Sequence, residues 1–149
     1  VLATQSTLKS AFFANTCQQL LDKGIIVLKQ EGIGLVPLIE EGKIDTPEMM
    51  ALLEQYLRPM VAKGMDYLVL GCTHYPYLTS LISEILPENV RIMDSAQAVA
   101  KQTERILSQN NLLAKEEEHV PSHLWLTNKN AEILQSFAPE GVRVLYEDF

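Results

Sequence analysis

A thiol and an imidazole stand two residues apart in Gly71-Cys72-Thr73-His74. An apolar run, Tyr67-Leu68-Val69-Leu70, leads into this tetrapeptide, and Tyr75-Pro76 follows it. The pattern predicts that cysteine and histidine leave a strand end together and enter the next helix, with Pro76 in its first turn. A helix start and a neighbouring imidazole both favour the thiolate form of a cysteine. A thiolate so placed can be a nucleophile, a metal ligand or a base. Free amides at the helix start could hold a substrate carboxylate. A cysteine after an apolar strand can equally be an inert core residue, and the histidine can simply cap or pack. The tetrapeptide alone leaves these alternatives open.

Other candidates are weaker. Cys72 and His74 are only two ligands, and no Cys-x-x-Cys pattern joins them. His119 and His123 have helical ligand spacing, but Pro121 lies between them and breaks a helix there. No metal site is expected. Cys17 sits mid-helix beside Gln18 and Gln19 and reads as structural. Cysteine-hydrolase chemistry at Cys72 has no second motif to support it.

The elements that must carry this site follow from periodicity and caps. Val1 to Thr4 reads as a strand, Ser6 caps a helix from Thr7 to about Lys23, and Gly24 stops it. Ile25 to Leu28 reads as a short strand, and Leu35 to Ile39, which holds Pro37, as an irregular segment or short edge strand. Thr46-Pro47 opens a helix whose apolar face recurs at Met49, Leu52, Leu53, Tyr56, Leu57 and Met60. Tyr67 to Leu70 is then a buried strand, and Leu78, Leu81, Ile82, Ile85 and Leu86 form the apolar face of the next helix. Val90 to Met93 is a strand, and Ser95 caps a helix to about Gln109. After a charged loop around Lys115 to Glu118 come a strand at Leu124 to Leu126, a helix from Asn128 to Phe137 and a strand at Val142 to Leu145. Strands alternating with helices predict an α/β fold, a mostly parallel sheet flanked by helices. In such sheets ligands bind beyond the carboxyl ends of the strands, which is where Cys72 falls.

Composition narrows the class. With 47% hydrophobic residues in 149, a packed core is expected rather than disorder. A formal net charge of −7 supplies no basic field for phosphates, which argues against nucleic acid. Two cysteines make no disulfide framework and suit a reducing compartment. No apolar run is long enough for a membrane span and no signal peptide is visible, so a cytoplasmic protein is expected. The chain starts at Val1 inside a predicted strand, which suggests a piece of a longer protein.

Four segments taken together resemble the glutamate racemases, within the cofactor-independent aspartate/glutamate racemase superfamily. Leu70-Gly71-Cys72-Thr73-His74-Tyr75-Pro76 resembles the family's second signature. Val1-Leu2-Ala3-Thr4-Gln5-Ser6-Thr7 resembles its Ala-Thr-x-Gly-Thr segment, and Val36-Pro37-Leu38-Ile39-Glu40 its Val-Pro-Leu-Val-Glu segment. Asp94-Ser95-Ala96-Gln97-Ala98-Val99-Ala100 resembles its Asp-Ser-Gly-x-Ala-Val-Ala turn. The resemblance implies interconversion of L- and D-glutamate by two cysteine bases on opposite faces of the α-carbon, without pyridoxal phosphate or another cofactor. The product D-glutamate would feed peptidoglycan synthesis. Cys72 would be one base, His74 its assistant and Glu40 the support of His74. Thr73, His74, Thr7 and Thr4 would contact substrate. Glutamate is then the small-molecule partner, with nucleic acid and membrane excluded and a homodimer compatible. An aspartate or other amino-acid racemase, or a non-catalytic ligand-binding fragment, are the alternatives.

The family's other cysteine, in an Asn-Thr-Ala context, has no counterpart here, so this chain alone is expected to be inactive. The resemblance also implies one of two pseudosymmetric domains at residues 1–94, with residues 95–149 returning to pack on the other domain. Ser6 stands where the family has glycine, Glu31-Gly32-Ile33-Gly34 where a Cys-Pro turn is expected, and Ala96-Gln97 in place of Gly-Glu. Leu126-Thr127-Asn128-Lys129 lacks the common Thr-Ser-Gly-Asp. These are mostly turn positions, where backbone change is expected rather than lost chemistry.

Overall fold

The computed structural model describes residues 1–114 and 122–149, so the Lys115 to Glu118 stretch and His119 lie outside the described residues. The described chain divides into two compact units, Val1–Ser95 and Ala96–Phe149.

The first unit is built on a four-stranded parallel sheet. Its strands are β1 (Leu2–Ala3), β2 (Gln30–Glu31), β3 (Tyr67–Gly71) and β4 (Arg91–Met93), in the order β2-β1-β3-β4. The helices between them are α1 (Gln5–Lys9), α2 (Ala11–Leu21), α3 (Leu35–Glu40), α4 (Pro47–Ala62) and α5 (Thr79–Ile85), as a parallel sheet requires of its crossovers. A turn of 3-10 helix, Tyr75–Leu78, precedes α5. The expected α/β fold with a parallel sheet is the one observed.

The core sits between the sheet and α3, α4 and α5. Thr46 Oγ1 accepts from the Met49 amide at 3.3 Å, and Pro47 takes the first helical position, where its missing N–H costs nothing. From that start Met49, Leu53, Leu57 and Met60 fall on one stripe of α4 and are buried. Leu68 and Leu70 of β3 meet the same core, but Tyr67 and Val69 point the other way and are exposed. The expectation of a wholly buried strand is therefore corrected: β3 alternates, with one face covered by this unit.

Three further expectations change. The first helix is split. Thr4, not Ser6, caps α1, and Ser10 in extended backbone ends it and caps α2 through the Phe13 amide at 3.1 Å. A serine offering its side chain to amides ahead of it competes with the continuous helix. No strand forms at Ile25 to Leu28, and Ile26 is 81% exposed. The strand falls at Gln30–Glu31 because β1 sets the register: Gln30 N donates to Val1 O at 2.9 Å and Gly32 N to Ala3 O at 3.0 Å. Leu35 to Ile39 is helical rather than irregular or an edge strand. Gly34, at φ +82°, turns the chain into α3, and Pro37 lies in the first turn, where amides have no partner within the helix.

The second unit holds α6 (Ala96–Gln109) and a parallel pair, β5 (Leu124–Thr127) and β6 (Arg143–Tyr146), joined through α7 (Ala131–Phe137). Asn130, not Asn128, caps α7, accepting from Glu132 N at 3.0 Å and Ile133 N at 3.2 Å. Gln135 ties α7 to β6, donating to Val142 O and accepting from Val144 N, both at 3.1 Å. No residue of α6 is buried, and Val99 and Ile106 are exposed. Among the described residues no helix is long and apolar enough to cross a membrane.

Candidate active site

The site begins with strand register. Ala3 lies opposite Gly71, so Thr4 and Cys72 leave the carboxyl ends of adjacent strands side by side. A Cβ added at Gly71 would fall 2.8 Å from that of Ala3, so only glycine permits this approach. Thr7, in the first turn of α1, donates its hydroxyl to Gly71 O at 3.3 Å. Its oxygen lies 3.1 Å from that of Thr4, whose own oxygen accepts from the Thr7 amide at 3.4 Å. The two threonines thus lock the start of α1 to the last residue of β3.

Beyond Gly71 the chain turns rather than entering an α-helix at once. The Tyr75 amide donates to Cys72 O at 3.3 Å and the Tyr77 amide to His74 O at 3.2 Å. This turn brings the His74 ring back toward the thiol, with Nδ1 3.9 Å from Cys72 Sγ and 3.5 Å from Thr73 Oγ1. The other ring nitrogen, Nε2, lies 3.5 Å from Glu40 Oε1 at the end of α3. With Nε2 carrying a proton toward Glu40, Nδ1 is left as an acceptor facing the thiol. A carboxylate that orients an imidazole, which in turn faces a thiol, is the general arrangement for activating a sulfur. His74 and Glu40 side chains are 35% and 38% exposed, and pairs so open to water contribute about 0–1 kcal/mol to stability. Their contact therefore bears on orientation rather than on holding the fold.

All six residues singled out in the sequence gather at this end of the sheet. Cys72, Thr73, His74 and Glu40 form one linked series, and Thr4 and Thr7 sit on the neighbouring strand end. Cys17 and Cys72 are both free, half-buried thiols. Among the described residues no group of three or more His, Cys, Asp or Glu side chains could hold a metal ion.

Sequence reasoning assigned no role to Tyr75, which the structure places at the base of the site. The side chain is fully buried, and its hydroxyl donates to Gly32 O at 3.2 Å. Burial foremost, and then negative charge at Cys72, push this hydroxyl above the ordinary tyrosine range, so it remains a donor. The signal was available in Gly32, a glycine just before a helix, but its partner lies far along the chain.

A parallel α/β domain with a thiol, an imidazole and a carboxylate in series beyond its strand ends defines a class of site, one suited to moving a proton. Residues 1–103 match the family model described as Asp/Glu/Hydantoin racemase, and the chain belongs to that family. It is 46% identical to a glutamate racemase from Pseudomonas putida over 118 residues, which cover 77% of this chain and 43% of that protein. Its fold resembles the glutamate racemase isoform RacE1 from Bacillus anthracis, with TM-score 0.77 and 28% identity, across 99% of this chain and 56% of that one. It also resembles an Escherichia coli glutamate racemase solved with L-glutamate and the activator UDP-MurNAc-ala, at TM-score 0.69 and 25% identity, covering 97% of this chain and 56% of that one. The chain spans about half the length of the curated relatives it matches.

Proposed function

We propose that this chain supplies one of the two catalytic faces of a glutamate racemase. The observation that carries the reading is the Cys72–His74–Glu40 series beyond β3, in a chain of the Asp/Glu/Hydantoin racemase family. The α-proton of an amino acid is a very weak acid, so removing it without a cofactor needs an oriented base and stabilisation of the charge that develops. Cys72 as thiolate takes the α-proton of one glutamate enantiomer and becomes a thiol. The electron pair stays on the α-carbon, and a thiol on the opposite face delivers a proton to it. In the reverse direction Cys72 donates. His74 orients and exchanges the Cys72 proton, and Glu40 orients His74. Thr73, Thr7 and Thr4 contact the substrate. The second cysteine comes from residues outside this chain.

The similarity to glutamate racemases, one of them solved with L-glutamate, supports glutamate as the substrate. D-glutamate for peptidoglycan, a cytoplasmic setting and a homodimer belong to the same reading. So does the division of labour, with residues 1–94 as one α/β domain and 95–149 packing on another; the exposed Val99 and Ile106 of α6 are consistent with that.

The test is exchange of the glutamate α-hydrogen in deuterium oxide, catalysed by the intact gene product that carries the chain. Cys72→Ala is expected to abolish racemisation of both enantiomers, and residues 1–149 alone to give none. Retained racemisation in Cys72→Ala, or racemisation by the 149 residues alone, would overturn the two-base assignment. Turnover of aspartate with none of glutamate would move the substrate within the family. A covalent acyl adduct on Cys72 after incubation with an ester would replace the base with a nucleophile.

A further inference from the structure

We propose that Tyr75 is a positioning residue: its hydroxyl, seated on the Gly32 carbonyl, holds α3 at the distance from the Cys72–His74 turn at which Glu40 reaches His74. The inference rests on the racemase reading above only for its kinetic arm.

The argument is a closed circuit of contacts. Gly32 O accepts both from the Tyr75 hydroxyl at 3.2 Å and from the Leu35 amide at 3.4 Å. Leu35 opens α3 and Glu40 closes it. Glu40 Oε1 then meets His74 Nε2 at 3.5 Å, and His74 is bonded to Tyr75. The same two segments are thus joined at both ends of a six-residue helix, once by a buried hydroxyl and once by a half-exposed pair. The pair is too open to water to fix the helix by itself. Leu35, Leu38 and Ile39, all buried, seat the helix in the core, and the buried tie from Tyr75 sets the His74 turn against it.

The anchor beneath it is stiff. The Gly32 amide donates to Ala3 O at 3.0 Å, and the Tyr56 hydroxyl of α4 donates to Ile33 O at 2.8 Å. The turn is therefore held on β1 and α4 and cannot follow Tyr75 if the contact is lost. Nor is there slack at the contact: a Cβ on Gly32 would lie 2.7 Å from Leu35 Cδ1 and 2.9 Å from Tyr75 Cζ. A glycine is required there for space.

The experiment is a double-mutant cycle on the intact gene product with Tyr75→Phe and Glu40→Gln. Because a well-placed acid or base contributes roughly a hundredfold or more, each single change is expected to lower kcat about tenfold, with KM within about twofold. The double variant should be no slower than the worse single one. Losses that multiply to about a hundredfold, or an unchanged kcat in Tyr75→Phe, would overturn the proposal, since a merely structural tyrosine has no reason to couple to Glu40. Tyr75→Phe keeps the buried ring and leaves Gly32 O its bond from the Leu35 amide, so the variant is expected to fold, and a cooperative urea melt checks that it does. A wild-type protein that does not racemise glutamate would sink the proposed function. The same cycle then runs on iodoacetamide alkylation of Cys72, read on the Cys72 peptide by mass spectrometry so that Cys17 and the second catalytic cysteine do not contribute. There, loss of the ordered imidazole is expected to slow the reaction about threefold in each single variant and no further in the double. Independent effects on alkylation would refute the positioning role without reference to turnover.

Discussion

Replacing Gly71 by alanine tests whether the closeness of β1 and β3 at the site is a matter of space. Gly71 is not among the glycines with positive φ, so its backbone conformation suits alanine. The obstacle is the Ala3 Cβ, 2.8 Å from where the new methyl would stand. Carbon atoms in contact prefer about 3.5–4.0 Å, so the strands would have to part by roughly 1 Å. Overpacking of this kind costs about 1–3 kcal/mol. With a urea m-value in the range of about 1–3 kcal/mol per molar, the denaturation midpoint should fall by about 1 M. The control is Ala3→Gly, which removes the obstructing methyl at a backbone cost of about 0.5–1 kcal/mol. Combined, Gly71→Ala and Ala3→Gly should return the midpoint close to that of the wild type, a coupling of about 1–3 kcal/mol. Urea melts of the four proteins with a common m-value decide the matter. An unmoved midpoint in Gly71→Ala, or a double variant as unstable as the two losses added, would refute the steric argument.

Leu57 is fully buried on the inner stripe of α4, so Leu57→Ala should destabilise the first unit by about 2–5 kcal/mol in the same melts. Burial raises the pKa of Tyr75, and burial and then the charge of Glu31 raise that of Tyr56. Unfolded tyrosine ionises near pH 10, so the folded state holds more protons above that value. Their contribution to stability is complete below about pH 10 and is lost as pH rises beyond it. Urea midpoints from pH 9 to 11 should fall less steeply in Tyr75→Phe than in the wild type. Asn130→Ala removes the α7 cap and should cost about 0.5–2 kcal/mol, seen as faster amide exchange at Glu132 and Ile133.

What the sequence reveals divides by range. The Thr46-Pro47 start of α4 and the strand ahead of Gly71 are local signals, and both are read directly. The ends of other elements are set by partners far away. Ile25 to Leu28 has the composition of a strand, yet β2 falls at Gln30–Glu31 because β1 sets the register. Pro37 looked like a bar to regular structure until Gly34 placed it in a first turn. At Asn128 and Asn130 two equivalent caps compete; Asn128 instead donates to Phe149 O at 3.2 Å. The candidate site follows the same rule. Cys72 and His74 are adjacent in sequence and legible from it. Glu40 came in only through resemblance, and the tie from Tyr75 to Gly32 could not be read without the fold that closes the gap between them.

The register of β1 also dictates an order of events. Leu2 pairs with Leu70 on one side and with Gln30 on the other, so an inner strand of the sheet is made before both of its neighbours. On the ribosome it has no second partner until the Cys72 region has emerged. Sheets assembled from such distant pairings fold slowly and leave apolar edges open meanwhile. In this protein the thiol arrives directly behind β3, the strand that gives β1 its second partner.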